Sequence, residues 1–279
     1  MSSDQKIAVV TGSSSGIGLE TALTLARNGF QTYATMRNPE KRSALESSQK
    51  KENLPINIWQ LDVTNEKSVK NAIDHIVSQE NRIDVLVNNA GYGLMGAFEE
   101  LHIDEIRQQF ETNFFGLIRV TQAVLPVMRK RQSGTIVNIS SGAGRFGYPG
   151  GSAYVSTKFA LEGLSESLAY EVYPFGIKVV VVEPGFVRTN FSKAVMVAKR
   201  SQSPSSQYST IMDKMASSFE LMLQNSSPPQ LVAEIVLKAV TTKDPDLRYL
   251  AGKDVQQWIE QKQKMSDTAF FNMMRESFQ

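Results

Sequence analysis

Two residues near the middle of this chain are spaced for acid/base chemistry. Tyr154 and Lys158 stand four apart in a stretch with helical patterning, so their side chains leave the same helix face. A phenol has an ordinary pKa of about 10 and is a poor base at neutral pH. An ammonium one turn away favours the phenolate. This predicts a tyrosine pKa drawn down toward the range where a general acid/base works best. A Tyr-x-x-x-Lys pair alone is weak, since such pairs decorate many helices. Its weight depends on what the rest of the chain supplies.

A second constellation lies near the N-terminus. An apolar strand runs into Thr11-Gly12-Ser13-Ser14-Ser15-Gly16-Ile17-Gly18, and a helical pattern starts at once. A glycine-rich turn between strand and helix lets the backbone approach a pyrophosphate, which the helix's free N–H groups and positive dipole end then bind. The spacing is G-x-x-x-G-x-G rather than the common dinucleotide fingerprint G-x-G-x-x-G, but the required context, strand before and helix after, is present. Farther on, the second strand ends Thr35-Met36-Arg37 where NAD-preferring sites place an acidic residue for the ribose 2′-hydroxyl. A guanidinium without a carboxylate beside it suits a 2′-phosphate. NADP(H) is therefore favoured over NAD(H), with Arg37 as an ordinary exposed residue the alternative.

The order Thr11-Gly12-x-x-x-Gly16-Ile17-Gly18, Asn88-Asn89-Ala90-Gly91, Ser141, Tyr154-x-x-x-Lys158 and Pro184-Gly185 resembles the single-domain branch of the short-chain dehydrogenase/reductase family. The resemblance covers about residues 6–190 and continues more loosely to the end. It implies hydride transfer between a nicotinamide and a carbonyl/alcohol pair, with Tyr154 as acid/base. Lys158 would also hold the nicotinamide ribose, and the positive nicotinamide would further favour the phenolate. Ser141, thirteen residues before Tyr154, would orient the carbonyl, with adjacent Ser140 structural. Asn113, inside a long central helix, would distort that helix and hold a water in a proton relay.

The resemblance also implies the cofactor contacts. Gly12, Ser14, Ser15, Gly16, Ile17 and Gly18 would cradle the pyrophosphate side, and Asp62 and Val63 would meet the adenine. Asn89, Ala90 and Gly91 would line the cofactor, with Asn88 and Gly91 partly architectural. Tyr154 and Lys158 would contribute here too, and Pro184, Gly185, Val187 and Thr189 would reach the nicotinamide carboxamide. Asp62 reads equally as a helix cap or turn residue. One departure bears on NADP: many NADP-using relatives carry a basic residue before the second glycine, and this chain has Ser15.

Large apolar residues follow the carboxyl ends of strands four to six, where ligands bind in open α/β sheets. They are Tyr92, Leu94, Met95, Phe146, Tyr148, Phe186, Phe191 and Met196. Met95, Phe146, Tyr148 and Phe186, with Ser141, are the expected substrate contacts, although core packing is the ordinary role of such residues. The Tyr33–Pro39 segment and the C-terminal extension are similar to the hydroxysteroid- and retinol-dehydrogenase branch, which implies a small lipophilic carbonyl or alcohol substrate. A 3-oxoacyl-thioester reductase would use the same catalytic residues. A cofactor-sensing binding protein on this fold would be expected to have lost Tyr154 or Lys158.

Strands and helices must position these residues. Candidate strands are 7–10, 31–35, 56–61, 83–87, 135–139, 178–183 and 247–250, several of them apolar on both faces. Helical patterns cover 18–28, 66–79, 103–129 and 152–173. This alternation predicts an α/β, Rossmann-type doubly wound, mostly seven-stranded parallel sheet with helices on both faces. The chain reads as one domain over 1–279, with a substrate-side helical excursion at 190–230 and a C-terminal helical extension at 252–279. That extension is amphipathic. Packing back on the body is the expected arrangement, with a lid or membrane contact as alternatives.

Thirty basic and 28 acidic residues are interspersed, leaving a formal net charge of +2 and no stripe for nucleic acid. The run Arg129-Lys130-Arg131 fits a helix C-terminus. The chain has no cysteine, and His75 and His102 stand isolated, so no metal site is expected. Adjacent Glu99 and Glu100 do not form a catalytic pair on a helix start. No signal peptide or membrane-spanning run is evident, and a cytoplasmic protein is expected. Apolar surface on 103–129 and 152–173 predicts a homodimer or homotetramer.

Overall fold

The computed structural model describes residues 5–189 and 195–277. Its strands are β1 (Ile7–Val10), β2 (Gln31–Met36), β3 (Ile56–Gln60), β4 (Val85–Asn88), β5 (Leu94–Met95), β6 (Gly134–Ile139), β7 (Ile177–Pro184), β8 (Met196–Val197) and β9 (Arg248–Ala251). Seven of them form one parallel sheet in the order β3-β2-β1-β4-β6-β7-β9. Chain order runs outward from β1 to β3, then returns to β4 and runs the other way. The crevice at the carboxyl ends of β1 and β4 is therefore the topological switch point, where open α/β sheets bind ligands.

Residue alternation builds the layers. Ala8 and Val10 face one side of β1, and Ile7 and Val9 the other, all of them buried. The first side packs under α1 (Gly16–Arg27) and α2 (Ser43–Glu52) and under a later helix at Pro229–Thr241. The second packs under α3 (Glu66–Glu80), α5 (Gly116–Arg131) and α6 (Ser152–Val172). Both faces of the central strands are covered, which is why they read as continuous apolar runs.

The expected 103–129 helix is not one α-helix. α4 (Ile103–Phe110) passes into a π-helical turn, Glu111–Phe115, before α5 begins. Two further helices lie outside the expected patterns: α2, which buries only Leu45, and α8 (Pro229–Thr241), although its buried Val232, Ala233, Val236, Ala239 and Val240 recur at helical spacing. In the excursion, β8 pairs in parallel with β5, and α7 spans Ser209–Gln224. The C-terminal extension forms α9 (Lys253–Lys264) and α10 (Asp267–Ser277). These pack back on the body. Val255, Ile259, Phe270 and Met274 join Met95, Phe146 and Met215 in a third apolar cluster above the carboxyl edge of the sheet. Among the described residues, no helix is long and apolar enough to cross a membrane.

Candidate active site

A cleft of about 750 Å³ opens at the switch point. Its floor is the glycine loop. Gly12 has φ +69°, and a Cβ on it would press on the backbone of Ala90 at 2.9 Å. A Cβ on Gly18 would overlap the Asn89 amide and the Gly12 carbonyl. Asn89 clamps this loop: its Nδ2 donates to the carbonyls of Thr11 (2.9 Å) and Gly12 (3.2 Å). The Thr11 hydroxyl in turn accepts from the N–H groups of Asn89 (3.0 Å) and Ala90 (3.1 Å). α1 starts here with no side-chain cap and no acidic residue in its first turn. A cradle that excludes side chains, ending on an uncapped helix N-terminus, fits a pyrophosphate.

Ser14, Ser15, Gly16 and Ile17 line the cleft next to Gly12. So do Arg37, Asp62, Val63, Asn89, Ala90, Gly91, Pro184, Gly185, Val187 and Thr189. Gly18, from the same expected set, acts beneath the surface by its lack of a side chain. Asp62 makes a turn, with Oδ1 accepting from the N–H (3.0 Å) and hydroxyl (2.8 Å) of Thr64. Exposed Arg37 shares its rim with Lys41, a second cation that sequence reasoning missed. Lys41 lies in a short 3₁₀ turn after Pro39, and only its place in the fold brings it to the cleft.

At the other end stand Ser141, Tyr154 and Lys158. Tyr154 and Lys158 are buried on one face of α6, with Lys158 Nζ 5.6 Å from the tyrosine ring centre. Nζ donates to the carbonyl of Ile139 at 2.8 Å, at the end of β6. Ser141 follows β6 and hydrogen-bonds Tyr154. Its Oγ also accepts from the Ala143 N–H at 3.1 Å. The expected lowering of the tyrosine pKa is not found in the protein without cofactor. Burial pushes Tyr154 up to about 12, against a smaller downward pull from Ser141. Burial also lowers Lys158 to about 8, with the Glu162 carboxylate opposing. The lysine thus keeps its charge at neutral pH but sheds it before the phenol titrates, so it does little to draw the tyrosine down.

Asn113 occupies the middle of the π turn and is 3% exposed. Its Nδ2 donates to the Tyr92 carbonyl at 2.9 Å, and its Oδ1 accepts from the Tyr92 N–H at 3.1 Å. Nδ2 also reaches Thr157 Oγ1, 3.4 Å away on α6. The helix is distorted where the family resemblance implied. Gln109, one turn earlier and fully buried, donates to the same Tyr92 carbonyl at 2.7 Å. Deeper still, Asn88 Nδ2 donates to Thr121 Oγ1 (3.0 Å) and Asn138 Oδ1 (2.9 Å). Asn138 then donates to Ser165 at 2.9 Å. Asn88 is architectural.

Beyond Lys158 on α6, Glu162 and fully buried Glu183 form an ionic cluster with two arginines. Arg145 pairs with Glu183 at 3.0 Å, and Arg248 reaches Glu162 (3.0 Å), Glu183 (3.5 Å) and Glu166 (2.6 Å). Burial, then the neighbouring Glu162 carboxylate, raise the Glu183 pKa, and both arginines oppose this.

The apolar substrate candidates separate into two groups. Tyr92 and Met196 line the cleft. Met95 and Phe146 are instead buried in the third apolar cluster, where Phe146 packs on Trp258 (5.1 Å) and Phe270 (6.0 Å) of the C-terminal helices. Tyr148 and Phe186 both meet Phe219 of α7, edge to face, at 5.4 and 5.2 Å. Leu94 packs with Leu101 and Ala198. Phe191 lies outside the described residues. His102 caps α4, His75 stacks on Trp59 at 3.8 Å, and Glu99 and Glu100 accept from Tyr208 and Ser206. No group of three metal-ligating side chains occurs among the described residues.

The short chain dehydrogenase family model matches residues 6–199. An uncharacterized oxidoreductase of Bacillus subtilis, YusZ, is 41% identical over 90% of this chain and 91% of its own length. A 3-ketodihydrosphingosine reductase of Bacteroides thetaiotaomicron is 38% identical, over 90% and 89%. Bovine (Bos taurus) retinol dehydrogenase 8 is 37% identical, over 89% and 82%. Among solved structures, a short-chain dehydrogenase from Streptomyces avermitilis superposes with TM-score 0.83 at 35% identity, covering 98% of each chain.

Proposed function

This chain belongs to the short chain dehydrogenase family of oxidoreductases, and we propose that it interconverts a lipophilic ketone or aldehyde and its alcohol with preference for NADP(H). The observation that carries this reading is the meeting of Ser141, Tyr154 and Lys158 at one end of a cleft whose other end is the glycine loop. A nicotinamide cofactor bound along that cleft would supply or accept the hydride. In reduction, Ser141 and Tyr154 hold the carbonyl oxygen by hydrogen bonds, and Tyr154 yields its phenolic proton as the alkoxide develops. A phenol near 12 keeps that proton at neutral pH. The reverse reaction needs the phenolate, so oxidation gains on reduction as pH rises.

Arg37 and Lys41 on the adenosine-end rim, with no carboxylate at buried Met36, support the 2′-phosphate preference. An alcohol dehydrogenase from Thermococcus sibiricus, a structural neighbour at TM-score 0.73 and 25% identity over 88% of this chain and 96% of its own, was solved with 5-hydroxy-NADP. For the substrate, support comes from the apolar cluster roofing the carboxyl edge and from relatives named for a sphingoid ketone and for retinol. The test is oxidation of NADPH and NADH against a panel of ketones, aldehydes and acyl thioesters. Turnover of long-chain or polycyclic ketones with NADPH is expected. Turnover confined to 3-oxoacyl thioesters, or faster with NADH, would contradict the reading.

A further inference from the structure

The loop that leaves β7, Pro184–Thr189, lines the cleft from the carboxyl end of β7 to the glycine loop, where Thr189 lies over Gly16. Backbone bonds hold most of it. The Gly185 N–H donates to the Ala251 carbonyl at 3.1 Å, Ser227 N–H donates to the Phe186 carbonyl at 2.9 Å, and Arg188 N–H donates to the Ser227 carbonyl at 2.8 Å. One anchor is a charged side chain. Phe186 N–H donates to Asp254 Oδ2 at 2.7 Å, a bond that bridges 68 residues. The carboxylate also lies directly over Gly185, where a Cβ would overlap it. Asp254 belongs to the first turn of α9, whose next residues inward, Val255 and Ile259, are buried beside Phe146, Phe270 and Met274.

We propose that Asp254 is a positioning residue that ties the docked C-terminal helices to the loop gripping the nicotinamide end of the cofactor. This rests on the reading of the cleft as a dinucleotide site. A hydrogen bond to an ionised acceptor is among the stronger ones available to a backbone N–H. Its acceptor here is carried by a helix whose own place is set by the apolar roof. Displacing α9 therefore frees the Phe186 N–H and leaves the loop to its backbone bonds alone, so roof and cofactor grip act together. An asparagine at 254 keeps an acceptor oxygen in the same place. An alanine does not.

The test compares NADPH with adenosine 2′,5′-bisphosphate, which carries only the adenosine end, by calorimetric titration of wild type, Asp254→Ala and Asp254→Asn. Asp254→Ala is expected to weaken NADPH by about tenfold or more, as loss of a charge-assisted bond would. The bisphosphate should bind as before, and Asp254→Asn should recover most of the loss. Should Asp254→Ala fail to fold, Gly185→Ala serves instead, since its methyl displaces the carboxylate. It is expected to show the same selective loss. Wild-type NADPH affinity in the alanine variant, or equal weakening of both ligands, overturns the proposal. Wild type that binds neither ligand overturns the dinucleotide reading itself, and the proposal falls with it.

Discussion

Burial acts on both Tyr154 and Lys158, leaving a phenol that keeps its proton and an amine that gives one up more readily than an exposed lysine. Burial of the lysine makes stability depend on pH. Its pKa falls from 10.5 unfolded to about 8 folded, so burying the charged form penalises folding fully below pH 8. The penalty fades as pH rises from 8 to 10.5. At about 1.4 kcal/mol per tenfold change in equilibrium, it amounts to roughly 3 kcal/mol. Lys158→Met is thus expected to gain stability relative to wild type at pH 6–7. That gain should shrink toward pH 10, as read by denaturant unfolding without cofactor, and a pH-independent difference would contradict the assignment. For Arg37, the rim position leads to a selectivity prediction. Arg37→Ala should weaken NADPH by about 10- to 100-fold and leave NADH nearly unchanged. Equal losses for both would remove Arg37 from the 2′-phosphate site.

At the scale of elements, the seven main strands were legible because buried parallel strands advertise themselves as short β-branched runs between helical patterns. The glycine loop and the Tyr154–Lys158 pair were legible because each is local in sequence. The π turn at Glu111–Phe115 was not readable from periodicity; only the family resemblance pointed to Asn113. α2 escaped because its face is almost wholly polar, with Leu45 its one buried residue. Met95 and Phe146 were expected at the substrate because apolar residues after a strand look the same whether they face a ligand or a covering helix. The C-terminal helices that cover them lie more than a hundred residues away in the chain. The Glu162–Glu183–Arg145–Arg248 cluster was hidden for the same reason, since its members come from four separate segments. Removing Arg248 strips buried Glu162 of its ion-pair partner and leaves Glu183 with Arg145 alone. Arg248→Met should therefore cost on the order of 3 kcal/mol at pH 7. Because burial already raises the Glu183 pKa, protonation relieves that deficit, which should narrow as pH falls below neutrality. A deficit that widens there would contradict the cluster's role.

For the molecule as a whole, two surfaces carry expectations. Along α4, the π turn and α6, the side chains of Ile103, Phe115, Phe159 and Tyr170 are exposed. These apolar groups support the homodimer or homotetramer inferred from the sequence. Light scattering is expected to show a species of at least twice the 31.0 kDa chain, and a monomer at all concentrations would contradict it. The C-terminal helices roof the catalytic end through Trp258 and Phe270 on Phe146. Removing residues 264–279 is expected to raise KM for a lipophilic ketone, and an unchanged KM in a folded truncation would exclude a part in the pocket. The proposed role of Tyr154, passing a proton while hydride moves, rests on these elements together. It is tested most directly by single-turnover oxidation of bound NADPH by a lipophilic ketone in wild type and Tyr154→Phe. The variant is expected to bind NADPH within about twofold of wild type yet turn over at least about 100-fold more slowly, the usual contribution of a general acid. Turnover in Tyr154→Phe above about a tenth of the wild-type rate would show that another group supplies the proton, and would contradict the account.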